Sequence, residues 1–206
     1  MVIQFHGISC VRIGTKDGNE DVTIVTDPFG DSFGKLPKNL AADIVMVSRA
    51  GEKAYDNTDA VKGDFFLIDT AGEYEVKGIP IYGAPAGKST LFNFTVEGIR
   101  VAHLGSLNTL LTDEQLDRLG DVDILMLPVG GGDVLDAKKA SDLVSRIEPR
   151  AVVPVHFKME GLKLDGDALT PFIKESGLKT ESMDKWKVVK KDLSNEDTIL
   201  VILAKS

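Results

Sequence analysis

The sequence predicts an α/β protein in which two β-sheets pack face to face with helices outside. Three observations predict it: short β-rich runs crowd the first half, helix signals alternate with strands after His103, and no Pro/Ser-rich linker divides the chain. The 206 residues are 43% hydrophobic and 27% charged, an ordinary globular mixture. A chain of this length buries roughly 70% of the surface its unfolded form exposes. One domain over residues 1–206 is therefore the economical reading.

The strand runs come first. Ile3-Gln4-Phe5-His6, Cys10-Val11-Arg12-Ile13, Val22-Thr23-Ile24-Val25, Ile44-Val45-Met46-Val47 and Phe65-Phe66-Leu67-Ile68 are separated by Gly, Asp, Asn and Pro. Tyr74-Glu75-Val76, Ile79-Pro80-Ile81-Tyr82, residues 91–96 and Ile99-Arg100-Val101-Ala102 continue the meander, with Glu97-Gly98 as a hairpin turn. Thr112 then opens a helix as N-cap, with Gln115 in the capping-box position. The apolar run Ile124-Leu125-Met126-Leu127 leads through Gly130-Gly131-Gly132 to a helix that Asp136 opens, in which Ala137, Ala140, Val144 and Ile147 keep helical spacing. Ala151-Val152-Val153-Pro154-Val155 reads as a buried strand ending at His156, residues 167–175 as a further helix, and 198–203 as the last strand. Trp186 reads as core.

Charge limits the partners. A net charge of -8 opposes phosphate backbones, which are bound by clustered Lys and Arg, so nucleic acid is not expected. No apolar run reaches the roughly 20 residues of a membrane span, and the first residues begin a strand pattern without a basic leader, so a cytoplasmic location is expected. The single Cys10 excludes an intramolecular disulfide and a Cys-based structural zinc site.

Five phrases occur in a telling order: Thr26-Asp27-Pro28-Phe29, Ala71-Gly72-Glu73-Tyr74-Glu75-Val76, His103-Leu104-Gly105-Ser106-Leu107, Leu127-Pro128-Val129-Gly130-Gly131 and Val153-Pro154-Val155-His156-Phe157-Lys158. Through them the chain resembles the metallo-β-lactamase superfamily, in particular the small bacterial metal-dependent hydrolases grouped with ascorbate-phosphate lactonase, over nearly its whole length. The resemblance implies a four-layer αββα sandwich of two mixed β-sheets, with a zinc-centred site at one edge where activated water hydrolyses substrate.

The family's His-x-His-x-Asp-His signature falls on Val47-Ser48-Arg49-Ala50-Gly51-Glu52-Lys53-Ala54, which puts Arg49 and Gly51 on the first two His positions, Lys53 on the Asp and Ala54 on the last His. A shifted alignment places Asp56-Asn57 on the Asp-His pair and still supplies no imidazole. No His lies at Ala84-Pro85-Ala86-Gly87-Lys88, and the bridging Asp is Ser106. His156 alone matches a metal ligand.

Arg49 and Lys53 place fixed positive charge where a divalent ion would sit. Two like unit charges about 4 Å apart cost roughly 4 kcal/mol at an effective dielectric near 20. Asp27 is expected to pair with Arg49. The pocket candidates are thus Asp27, Arg49, Lys53, Asp56, Ser106 and His156, with no catalytic residue assigned. His156 reads as a ligand, a base or a relic; His103 reads as a structural hydrogen-bonding residue. Cys10 reads as core, and Ser106 lacks the glycine frame of a nucleophile elbow. Gly130-Gly131-Gly132 reads as a strand-to-helix turn, since Asp133 and Asp136 repel an anion there.

Two functions follow. The first is a homologue without the dinuclear zinc site, non-catalytic, with the old pocket filled or holding a small anion or a protein partner and no cofactor. The second is a divergent hydrolase in which Asp27, Asp56 and His156 gather one cation such as Zn²⁺, Mg²⁺ or Mn²⁺.

Overall fold

The structure, a computed structural model, describes residues 1–18, 20–194 and 196–206. In chain order the strands β1 (Val2–Gly7), β2 (Cys10–Asp17), β3 (Glu20–Thr26), β4 (Ile44–Met46) and β5 (Phe66–Ile68) come first. The meander β6 (Gly72–Val76), β7 (Ile79–Ala86), β8 (Ser89–Val96) and β9 (Ile99–His103) follows. Then come α1 (Asp113–Leu119), β10 (Ile124–Pro128), α2 (Ala137–Ile147), β11 (Ala151–Val155), α3 (Thr170–Ser176), β12 (Lys179–Met183), β13 (Trp186–Lys187) and β14 (Ile199–Leu203).

They form a six-stranded sheet in the order β13-β1-β2-β3-β4-β5 and an eight-stranded sheet in the order β12-β14-β11-β10-β9-β8-β7-β6. Both are mixed. β1, β2 and β3 are antiparallel while β3, β4 and β5 run parallel; β6 to β9 form the antiparallel meander, and β9, β10, β11, β14 and β12 run parallel. The parallel strands β10 and β11 are buried at every position, which is why their sequences are continuous apolar runs rather than alternations.

Alternation in the six-stranded sheet assigns its two faces. Phe5, Val11, Ile13, Ile24, Ile44 and Met46 turn inward to join Phe92, Phe94, Val101 and Val153 in the main core. Cys10, Val25, Val45 and Val47 turn outward and pack under Phe29, Leu40, Tyr55, Val61, Leu162 and Leu164. The fold is thus the α/β sandwich of two mixed sheets that the sequence predicts. The three α-helices among the described residues all follow β9, and Leu119, Ala140, Leu143 and Phe172 join them to the core containing the eight-stranded sheet. Over the six-stranded sheet the outer layer is irregular chain with one 3-10 turn at Thr58–Ala60. Pro28, Gly30, Gly34 and Pro37 break the helical pattern there.

Local signals translate directly. Thr112 and Gln115 form a reciprocal capping box, Asp136 accepts the Lys139 N–H at the start of α2, and Glu97 and Gly98 both take positive φ in the β8–β9 hairpin. The helix expected over 167–175 instead begins at Thr170, because the Asp167 backbone is bonded to Gly130 and Lys158 and so is held in a loop. Pro171 then lies in the first helical turn and Gly177 terminates it in the left-handed conformation. Trp186 is buried on β13, a strand that sequence patterning did not distinguish, as it did not β12. Among the described residues no helix is long and apolar enough to cross a membrane.

Candidate functional site

Parallel strands leave a sheet at a common edge, and that geometry assembles the site. Asp27 follows β3, Ser48 and Arg49 follow β4, His103 ends β9 with Ser106 in the next turn, loop 130–133 follows β10, and His156 follows β11. Contacts between the two sheets close the edge. Asp27 and His103 meet across it, as do Ser9 and His156.

Asp27 is 1% exposed and its carboxylate is heavily committed. Its Oδ1 accepts the Ser48 N–H at 2.6 Å, and its Oδ2 accepts the Ser48 hydroxyl at 3.0 Å and faces His103 Nε2 at 2.7 Å. Gly105 makes this approach possible: a Cβ there would lie 2.1 Å from Ser48 Oγ and 3.2 Å from Asp27 Oδ2. The expected Asp27–Arg49 pair is therefore not formed. Asp27 is saturated by its neighbours, and the guanidinium turns elsewhere.

Arg49 is 2% exposed. Its Nη1 donates to Asp133 Oδ2 at 2.6 Å, its Nε stands 3.6 Å from Glu52, and its guanidinium carbon lies 4.6 Å from the centre of the Tyr55 ring. Tyr55 in turn stacks on His156, the ring centres 5.6 Å apart. Burial acts to lower the Arg49 pKa, but the Asp133 hydrogen bond and charge, aided by Glu52, hold it above its ordinary value. Asp133 is held below the usual carboxylate range first by that same hydrogen bond and also by Lys88.

His156 is 3% exposed and has a positive φ of 51°. Its Nδ1 is 3.2 Å from Ser9 Oγ and 3.3 Å from Ser106 Oγ, while the Ser9 hydroxyl donates to the Gly105 carbonyl. Burial, reinforced by Arg49, lowers its pKa to about 4 against the opposing pull of Asp27 and Asp133. The imidazole is neutral at pH 7.

Of the six pocket candidates, the structure gathers Asp27, Arg49, Ser106 and His156 at this edge. Lys53 is exposed, so its charge stays in water instead of lining the site. Asp56 accepts the Gly51 N–H at 3.0 Å and thereby closes its own loop. Sequence reading passed over Ser9, Ser48 and Tyr55, and took Asp133 only as a repellent of anions. The Arg49–Asp133 partnership spans 84 positions, a separation no local pattern reports. Cys10 is fully buried, and burial together with Asp27 pushes its thiol pKa well up, so it is no nucleophile.

Zinc of the family type needs several converging imidazole, thiolate or carboxylate donors and an open position. Among the described residues no three His, Cys, Asp or Glu side chains come together in that way. Asp27 already accepts from Ser48 and faces His103, and a fixed cation lies close to the remaining imidazole. This donor set does not fit a zinc centre.

A two-sheet α/β sandwich with polar side chains gathered where parallel strands end is the frame of an edge-site hydrolase fold. The chain belongs to the β-lactamase superfamily: residues 2–156 match the family described as beta-lactamase superfamily domain. A UPF0173 metal-dependent hydrolase of Thermococcus onnurineus is 27% identical over 152 residues, covering 66% of either chain. A UPF0173 protein of Pyrococcus furiosus is 30% identical over 151 residues, 68% of each. The chain thus spans about two thirds of the length of these archaeal relatives. Among solved structures, a Thermotoga maritima protein described as a Zn-dependent hydrolase of the metallo-β-lactamase superfamily superposes with a TM-score of 0.81 at 30% identity, covering 99% of this chain and 100% of that one.

Proposed function

We propose that this chain is a metallo-β-lactamase-fold protein without metal-dependent hydrolysis, acting in the cytoplasm as a single-domain binding or scaffold protein. One observation carries the reading. Where the family resemblance calls for the first metal-binding His, Arg49 brings a permanent cation into the site, 2% exposed and neutralised by Asp133 at 2.6 Å. A divalent ion beside it meets repulsion, and the donors that would offset that repulsion are bound to one another.

The relatives' description as metal-dependent hydrolases supports a second reading, a mononuclear hydrolase using Asp27, Asp56 and His156. That arrangement requires Asp27 to release Ser48 and His103 and Asp56 to release the Gly51 N–H. Elemental analysis of protein purified with and without added Zn²⁺ or Mn²⁺, joined to phosphodiester and lactone cleavage assays, separates the two. The expected result is substoichiometric metal and no metal-dependent turnover. Tightly retained stoichiometric metal with turnover would sink the non-catalytic reading.

A further inference from the structure

The Arg49 guanidinium is incompletely used. Its Nη1 has Asp133, but among the described residues its buried Nε has no hydrogen-bond acceptor, Glu52 standing off at 3.6 Å. Guanidinium is shaped to grip an oxyanion with two parallel N–H groups, and a monodentate carboxylate leaves half of that capacity unmet. A side chain only 2% exposed cannot make up the deficit with water.

The group now on Arg49 can be replaced. The Asp133 side chain is 57% exposed, so its carboxylate rehydrates readily, and the cost of its leaving is the stranded guanidinium, which an incoming oxyanion neutralises in its place. Gly130 and Gly131 are pinned, the first by the Asp167 N–H and the second by Leu135 and Val134, but Gly132 is exposed with nothing within 4 Å of a Cβ position, so the Asp133 side chain beyond it is free to turn out to solvent. The position it occupies is electropositive, since Arg49 and Lys88 both stabilise its charge, with Glu52 as the opposing carboxylate and His156 neutral. The start of β8 is tied to the loop of Arg49 by the Thr90 N–H on the Ser48 carbonyl, and the neighbouring Ser89 hydroxyl is buried without a partner among the described residues.

We propose that Asp133 is a tethered stand-in for a ligand, and that Arg49 is a binding site for a small oxyanion, a carboxylate or a phosphate, which enters when the Asp133 side chain turns out to solvent. This rests on the non-catalytic binding role proposed above and names its ligand class. Asp133 and the oxyanion compete for one guanidinium, so the Asp133 carboxylate acts as a built-in inhibitor of binding.

The test is calorimetric titration of inorganic phosphate and of acetate, at matched ionic strength, into the wild type, Asp133→Asn and the double variant Arg49→Gln/Asp133→Asn. Removing the tethered charge should tighten binding of at least one probe by about tenfold or more, and removing Arg49 as well should abolish the gain. The probe that gains more distinguishes phosphate from carboxylate. A folded Asp133→Asn protein that binds neither probe more tightly overturns the proposal, as does a double variant that binds as well as the single one. Should Asp133→Asn fail to fold, the Arg49 Nε–H resonance of ¹⁵N-labelled wild-type protein decides: movement on saturating with phosphate or acetate supports the proposal, and an unmoved signal with both overturns it. Metal content is read on the same samples. Metal-free protein that binds no oxyanion defeats only this inference, whereas stoichiometric metal with turnover defeats the reading beneath it.

Discussion

The Arg49–Asp133 pair predicts an asymmetry: removing its exposed member should cost more stability than removing its buried one. Asp133→Asn leaves a guanidinium that is 2% exposed with only Glu52, 3.6 Å away, as counter-charge. Breaking a buried pair in this sense costs about 3–5 kcal/mol, and the presence of Glu52 brings the expected loss to about 2–3 kcal/mol. Arg49→Met keeps an unbranched stem beside Tyr55 and frees Asp133, whose side chain is already 57% exposed, to hydrate. What is lost is a charge-assisted hydrogen bond and a cation–π contact, and what is regained is the desolvation of the guanidinium, for a net of about 1 kcal/mol or less. The double variant should resemble Arg49→Met alone, because no stranded cation remains. Urea unfolding of the four proteins, read as a double-mutant cycle at a common m-value, supplies the comparison. Asp133→Asn proving no more costly than Arg49→Met would refute the view that a buried cation sits at the centre of this site.

Two further predictions concern the same edge. The His156 pKa falls from 6.5 to about 4 on folding, so the unfolded chain binds the extra proton between those values. The contribution is fully present above pH 6.5 and is lost as pH falls towards 4, by roughly 3 kcal/mol in all; His156→Gln should flatten that part of a stability-versus-pH curve, and an unchanged slope would exclude the assignment. Gly105→Ala forces a side chain into positive φ and onto Ser48, with a Cβ 2.1 Å from its Oγ, and should cost about 3 kcal/mol. Gly51→Ala also has positive φ but nothing within 4 Å, so a loss of only about 1 kcal/mol is expected, and equal melting temperatures for the two variants would contradict the packing argument.

The sequence conveyed what depends on neighbours along the chain. Capping at Thr112 and Asp136, the Glu97-Gly98 hairpin and the continuous apolar runs of β10 and β11 are local devices, and each produced the element it announces. Short strands without strong alternation escaped: Lys179–Met183 is polar at four of its five positions and becomes β12 only through its register with β14. The site divides in the same way. Arg49 in place of an imidazole is legible because a motif fixes its position, but its partner is chosen by which strand exits share an edge. Electrostatic reasoning over nearby residues favoured Asp27, whose acceptors are taken by Ser48 and His103, and overlooked Asp133, delivered by β10 from 84 residues away.

The backbone at this edge carries strain. Ile8, Asp27 and His156 all hold positive φ, at 56°, 39° and 51°, and Ile8 is β-branched, the kind of side chain least suited to that region. Such residues cost of order 1–3 kcal/mol each and persist only where surrounding contacts over-determine them. Here the His156 N–H bonds the Ile8 carbonyl at 2.6 Å and the Asp27 N–H bonds the Met46 carbonyl at 2.8 Å, so two of the strained residues are tied to one another and the third to the strand beside it. Side-chain placement around Arg49, His156 and Ser106 is thus held against a backbone cost, which the buried packing of Ile8 and the hydrogen bonds between these strand exits offset.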